Sequence, residues 1–190
     1  MAKSSFLLFP LLLLLVSACT TPAHQPLADA DYAEKVKTVS ASHKKARIYA
    51  MEGYWKGGLF KPTNKSPADF YINGSNVGGI NKGQCLVIEV RPGKYSFEMA
   101  ERTKSSTGLR TPPKTYNLSG GESIYVAFSI NKTTGVGVFF GAVGGLIDAT
   151  ANPPTAELDD VTGNGREMVK DLQIVLPDSD VVSDLRPLGK

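Results

Sequence analysis

Alternation of apolar and polar side chains dominates the middle of this chain. In Tyr95-Ser96-Phe97-Glu98-Met99-Ala100, the residues Tyr95, Phe97 and Met99 share one face, the period-two signature of a half-buried strand. Ile124, Val126, Phe128 and Ile130 alternate in the same way with Ser123, Tyr125, Ala127 and Ser129. Gln84–Val90, QCLVIEV, is an apolar run of strand length, rich in β-branched residues.

The stretch Ala68–Arg102 organises the rest. It reads as three strands joined by two turns. Ala68–Ile72 ends in Asn73-Gly74, a dipeptide that accepts the positive φ of a tight hairpin. Arg91-Pro92-Gly93-Lys94 reverses the chain after the apolar run, with Pro fixing φ and Gly freeing the next position. Further strands are predicted at Ala46–Met51, Thr115–Leu118, Ser123–Asn131, Thr155–Asp159 and Gln173–Leu176. Short helices are predicted over Asp29–Val39, with Asp29 or Asp31 near its start, and over Arg166–Leu172. Gly53–Phe60 reads as a glycine-rich loop carrying the only tryptophan. Trp55 and Phe60 are a candidate interaction surface there, set against the alternative that both fold back to cap the sandwich. The whole pattern predicts a mainly β fold, a small β-sandwich.

The pattern F-Y-I-N-G-S-x-V-G-G-I followed by V-R-P-G-K-Y-S-F resembles that of small bacterial lipoprotein domains of unknown function. It is also similar to PEGA-type surface modules, in which a strand, an N/D-G turn, a second strand and a P-G-K/H turn recur. The resemblance spans about Ala46 to Leu172. It implies an immunoglobulin-like or transthyretin-like sandwich and carries over no catalytic residue.

The first eighteen residues stand apart from this domain. Lys3 gives a short positive region and Phe6–Val16 an apolar core too short to span a bilayer as a mature helix. Val16-Ser17-Ala18-Cys19 resembles a bacterial lipobox, in which Cys19 takes a diacylglycerol and becomes the new N-terminus. Thr20 follows where an aspartate would resemble an inner-membrane retention signal, so the expected site is the outer membrane, facing the periplasm. Residues 19–44, rich in small polar residues and punctuated by Pro22 and Pro26, read as a tether. The tail beyond Pro177 reads as loose.

Net charge is formally +3, and the basic residues are scattered, with only Lys44, Lys45 and Arg47 close together. That is no nucleic-acid footprint, and attraction to anionic lipid headgroups is expected to be mild. With Cys19 used by lipid, Cys85 has no intrachain partner and reads as a small edge or core residue. The two histidines, His24 and His43, lie in or beside the tether. The chain has no Gly-x-Ser-x-Gly elbow and no zinc spacing. Glu98/Glu101 and Asp159-Asp160 read as solvated surface acids. No catalytic residue, metal or cofactor is therefore predicted.

Gly137, Gly141 and Gly145 recur every fourth residue between the Ser123–Asn131 and Thr155–Asp159 segments. On a helix they form a small-residue stripe of the kind that lets backbones approach closely. Such a helix over Val136–Ala149 would be about 21 Å long, short of the roughly 30 Å hydrocarbon core. Three readings stay open: a helix packed on the sandwich, a segment that dips into the bilayer or self-associates, and a glycine-rich strand and loop. A dinucleotide fingerprint is rejected, since its third glycine would fall at Phe140.

The expected organisation is a signal peptide over 1–18, a tether over 19–44, a sandwich over 45–176 with an insertion at 134–150, and a tail over 177–190. The expected function is a lipid-anchored envelope module that binds or scaffolds, with an envelope protein or a second copy as partner. The alternatives are a membrane-associated assembly protein using the glycine stripe and, further off, an envelope hydrolase.

Overall fold

A computed structural model describes residues 25–56, 67–102, 108–131 and 155–189, with backbone alone at 52–56 and 131. The described strands are β1 (Ala46–Lys56), β2 (Ala68–Ile72), β3 (Ser75–Ile80), β4 (Gln84–Val90), β5 (Gly93–Glu101), β6 (Lys114–Leu118), β7 (Ser123–Asn131), β8 (Thr155–Asp160) and β9 (Gln173–Val175). They build a five-stranded sheet, β8-β7-β1-β4-β9, and a four-stranded sheet, β3-β2-β5-β6. Among the described residues three short helices accompany them: α1 (Ala30–Thr38), α2 (Thr162–Val169) and α3 (Ser179–Asp184). The fold is the mainly β sandwich that the alternation predicts, with a short C-terminal helix.

The apolar faces meet as expected. Ile48, Leu86, Ile88, Val126 and Phe128 of the larger sheet pack in one cluster with Phe70, Ile72, Tyr95, Phe97 and Met99 of the smaller. Asn73 (φ 52°) and Gly74 (φ 81°) form the β2–β3 hairpin. The Asn73 side chain locks it to β5, its Oδ1 accepting from the Ser96 N–H at 2.9 Å.

Four features differ from the sequence reading. The organising stretch holds four strands, because Ser75–Ile80 pairs with β2 instead of lying in a turn. Its strands are also split between sheets, so Arg91-Pro92 carries the chain from one layer to the other. β1 continues through Tyr54, Trp55 and Lys56, which pair with β7 after an irregularity past Met51, so Gly53–Lys56 is strand and not loop. Finally, α2 starts at Thr162, four residues ahead of the Arg166 at which the charged pattern begins.

Both expected flexible regions are packed where described. Residues 25–28, read from the sequence as tether, form a strap along β9: the Ala28 N–H donates to Ile174 O (3.0 Å) and the Leu176 N–H to Pro26 O (2.9 Å). Asp29 caps α1, accepting from the Tyr32 N–H at 2.8 Å. Val36 of α1 is 1% exposed, against Tyr49 and Val87. In the tail, Asp178 caps α3, Leu185 is buried in the main core, and the Leu188 N–H donates to Lys94 O. A run of polar residues reads as loose when its anchors are single side chains and backbone hydrogen bonds, which leave no periodicity.

Candidate functional site

The outer face of the five-stranded sheet is closed. Tyr49, Met51, Cys85, Val87, Tyr125, Ala127 and Ile174 are buried there beneath α1 and α2. The phenols of Tyr49 and Tyr125 stack, ring centroids 4.3 Å apart. Arg47, 4% exposed, ties α1 to this surface. Its guanidinium donates to Val39 O (2.6 Å), to Val36 O (3.3 Å) and to Glu89 Oε1 (2.9 Å). Carbonyls at the end of α1, which lack partners within the helix, are thereby satisfied. Arg166 of α2 donates to Thr38 O and Lys37 to Lys170 O, both at 2.8 Å, so each helix also ties the other's last turn. Burial acts to raise the Glu89 carboxyl, but the hydrogen bonds and charges of Arg47 and Lys45 outweigh it and hold the group below the usual range.

This layer is structural rather than reactive. Cys85 is fully buried, and burial pushes its thiol upward, away from the thiolate that reactivity needs. Burial likewise pushes the Tyr125 phenol up to about 12.

The four-stranded sheet differs. Its outer face carries Asp69, Tyr71, Ser96 and Glu98, all only partly buried. Arg110 lies 4.5 Å over the Tyr71 ring and pairs with Glu98. At the β3 edge this face turns into a cleft of about 440 Å³ lined by Gln25, Asp69, Asn76, Gly78, Gly79, Arg102 and Asp178.

Two glycines make the cleft. A Cβ at Gly79 would lie 1.3 Å from Arg102 Nη2, and one at Gly78 would lie 3.0 Å from Gln25 Oε1. The guanidinium and the amide therefore lie directly on the β3 backbone, which only missing side chains allow. Arg102 Nε donates to Asp69 Oδ1 at 2.9 Å, and Nη2 contacts the same oxygen. Asn76 Oδ1 accepts from the Gly78 N–H at 3.0 Å, and Asp178 Oδ1 accepts from the Asp180 N–H at 3.1 Å. Gln25 Oε1 is buried and has no hydrogen-bond partner among the described residues. Buried acceptors are nearly always matched, so this oxygen is the atom of the cleft most ready to take a donor from outside. A second hollow of about 440 Å³, lined by Asp160, Val161, Gly163, Asn164 and Met168, opens beside the start of α2. It offers no such unmatched group among its described residues.

Of the sequence-predicted site residues, the structure describes only the Trp55 backbone. Cys19, Phe60, Gly137, Gly141 and Gly145 lie outside the described residues. The Trp55 backbone pairs with Ile130 inside the larger sheet. The glycine-bearing stretch lies in sequence between β7 and β8, whose ends pair at Asn131 and Thr155. The cleft itself was missed because residues 25, 69, 76, 102 and 178 converge only through pairing and strap docking. Its one sequence signal was Gly78-Gly79 beside a strand, a mark of close backbone approach.

Among the described residues, no group of three His, Cys, Asp or Glu side chains is placed to hold a metal ion. No described helix is long and apolar enough to cross a membrane. No protein-family model, curated protein or solved structure matches the chain.

Proposed function

We propose that this chain is a lipid-anchored cell-envelope lipoprotein, attached through Cys19, whose sandwich binds or scaffolds and does not catalyse. The leader ending in Val16-Ser17-Ala18-Cys19 supports the anchor and the periplasm-facing outer-membrane location. The resemblance of the Ala68–Arg102 stretch to lipoprotein and PEGA-type domains points the same way.

The observation that carries the binding reading is the unmatched Gln25 Oε1 in the cleft floored by Gly78 and Gly79. The site presents fixed acceptors and donors suited to recognition. Of its charged groups, Asp69 is paired with Arg102, and Asp178 caps the C-terminal helix. The test is a photo-crosslinking amino acid at Asn76, compared with one at exposed Lys170 on the far side, in intact cells expressing the full chain. A distinct neighbour captured from position 76 alone supports the reading. Identical adducts from both positions, or none from position 76, count against it.

A further inference from the structure

The sequence scatters its basic residues, but the fold collects several of them. β1 begins level with the end of β4, since Ala46 pairs with Val90. β7 runs parallel to β1, with Arg47 opposite Ser123, so the Ser119–Glu122 turn lies at this same end. In the smaller sheet Gly93 pairs with Leu118, which brings the Arg91–Lys94 turn there too. The C-terminal segment joins them: a Cβ on Gly93 would lie 2.5 Å from Pro187 Cβ, and the Leu188 N–H donates to Lys94 O. Lys44, Lys45, Arg91, Lys94 and Arg186, all exposed, therefore share one pole of the sandwich.

Negative charge in these turns is slight. The turns carry one carboxylate, Glu122, whose Oε2 accepts from the Ser119 N–H, and the C-terminal segment that brings Arg186 also carries exposed Asp180 and Asp184, so the five exposed cations outnumber these three acids. Glu89, on the adjoining strand, faces Arg47 and Lys45.

The strap points to the same pole. Leu27 and Leu86 both align with Val175, Leu27 running antiparallel to it. Moving from Leu27 to Gln25 therefore moves toward the Val90 end of β4. Only six residue steps separate Gln25 from Cys19, and six steps reach at most about 20 Å. A tether running from Cys19 to residue 44 would have reached on the order of 90 Å.

We propose that the basic pole is a docking surface for anionic lipid headgroups, held against the bilayer by the short link to the acylated Cys19. This rests on the anchoring proposed above. The two signals combine as a lipid chain and a polybasic patch do: the acyl chains keep the domain at the membrane, and the charges choose which end faces it. Each cation close to an anionic surface raises partition about five-fold. Docking this way leaves the Lys82 turn and the Thr155 end of β8 pointing away from the bilayer.

The test uses the full chain, expressed with its leader, purified in detergent and reconstituted into vesicles of phosphatidylcholine and phosphatidylglycerol. A fluorophore is placed at Ser119→Cys, on the pole, or at Lys82→Cys, at the opposite end; buried Cys85 stays unlabelled. Quenching by headgroup spin-labelled lipid reports which end approaches the membrane, and intact mass reports acylation. The expected result is stronger quenching at 119 than at 82 in low salt. High salt should abolish the difference, as should combining Lys44→Gln, Arg91→Gln and Lys94→Gln, which together should weaken docking about a hundred-fold. The salt arm compares one labelled protein with itself and leaves the basic pole intact, so a folding defect from the charge substitutions cannot imitate it. Equal quenching at both positions on acylated protein, or stronger quenching at 82, overturns the docking and leaves the anchor standing. A preference for 119 that persists in pure phosphatidylcholine or in high salt also overturns it, since the link alone then orients the domain. Absence of the acyl mass overturns the anchoring reading, and the tethered geometry with it.

Discussion

The two sheets of this sandwich share a core but treat their outer faces in opposite ways. The five-stranded sheet is covered on both sides: Tyr49 and Cys85 are nearly as enclosed beneath α1 and α2 as Ile48 and Phe128 are between the sheets, and Tyr125 is buried beside them. The four-stranded sheet has one open face, where Asp69, Tyr71 and Glu98 meet arginines in contact with water. One sheet is a structural wall and the other a display surface. The same kinds of contact should therefore carry different weight on the two faces.

The largest effects belong to the shared core. Phe128→Ala and Phe97→Ala should each cost about 3–5 kcal/mol in chemical denaturation, since both side chains are fully buried. A loss below about 1 kcal/mol would mean that the inward register is wrong.

On the covered face, Arg47→Met should cost about 2–3 kcal/mol, because it strands carbonyls of α1 and part of the Glu89 charge. Hydrogen exchange should then speed up first in α1. If exchange rises evenly across both sheets instead, Arg47 holds more than the helix.

A glycine pair sharpens the comparison further. A Cβ at Gly165 would lie 2.2 Å from the Tyr125 ring, whereas one at Gly163, on the same helix, meets nothing within 4 Å. Gly165→Ala should lower stability by about 1–3 kcal/mol. Gly163→Ala should raise it by about 0.5–1 kcal/mol. The same sign at both positions would show that α2 does not rest on Tyr125. The ring makes a pH test as well. The folded Tyr125 phenol ionises near 12, above its ordinary value. Its contribution is complete below pH about 10 and is lost as pH rises toward 12, at up to about 1.4 kcal/mol per pH unit. A flat stability curve across that window would refute it.

The smallest effects belong to the open face. Glu98→Gln should change stability by less than about 1 kcal/mol, since its partner Arg110 is half exposed and water screens the pair. A cost comparable to that of Arg47→Met would erase the distinction between the faces.

Residue pattern alone carried most of the sandwich. Tyr95, Phe97 and Met99 alternate cleanly because one side of β5 faces water, and the Asn73-Gly74 turn is written in residues that accept positive φ. The covering layer was harder to read. Tyr125, Ala127 and Ser129 look like the polar side of β7, yet all three are buried. A small or hydroxyl-bearing side chain beneath a helix has the same composition as one facing solvent. α1 is attached by Val36 and by carbonyls reaching Arg47, and a carbonyl is identical in every residue. Gly78 and Gly79 read as turn because glycine disfavours strands. What keeps them in β3 is the guanidinium and amide lying on them, brought by residues far off in sequence.

The strap along β9 has a mechanical consequence. A domain anchored through Cys19, as proposed, would take load from the membrane at its N-terminus, and the first described residues to bear it would be Pro26, Leu27 and Ala28. These residues lie antiparallel to β9 through two backbone hydrogen bonds, so a pull along the strand axis shears both together, while a pull across it opens them one after the other like a zip. The domain should thus resist traction toward its basic pole better than traction sideways. Single-molecule pulling from position 25 in the two directions would measure the ratio.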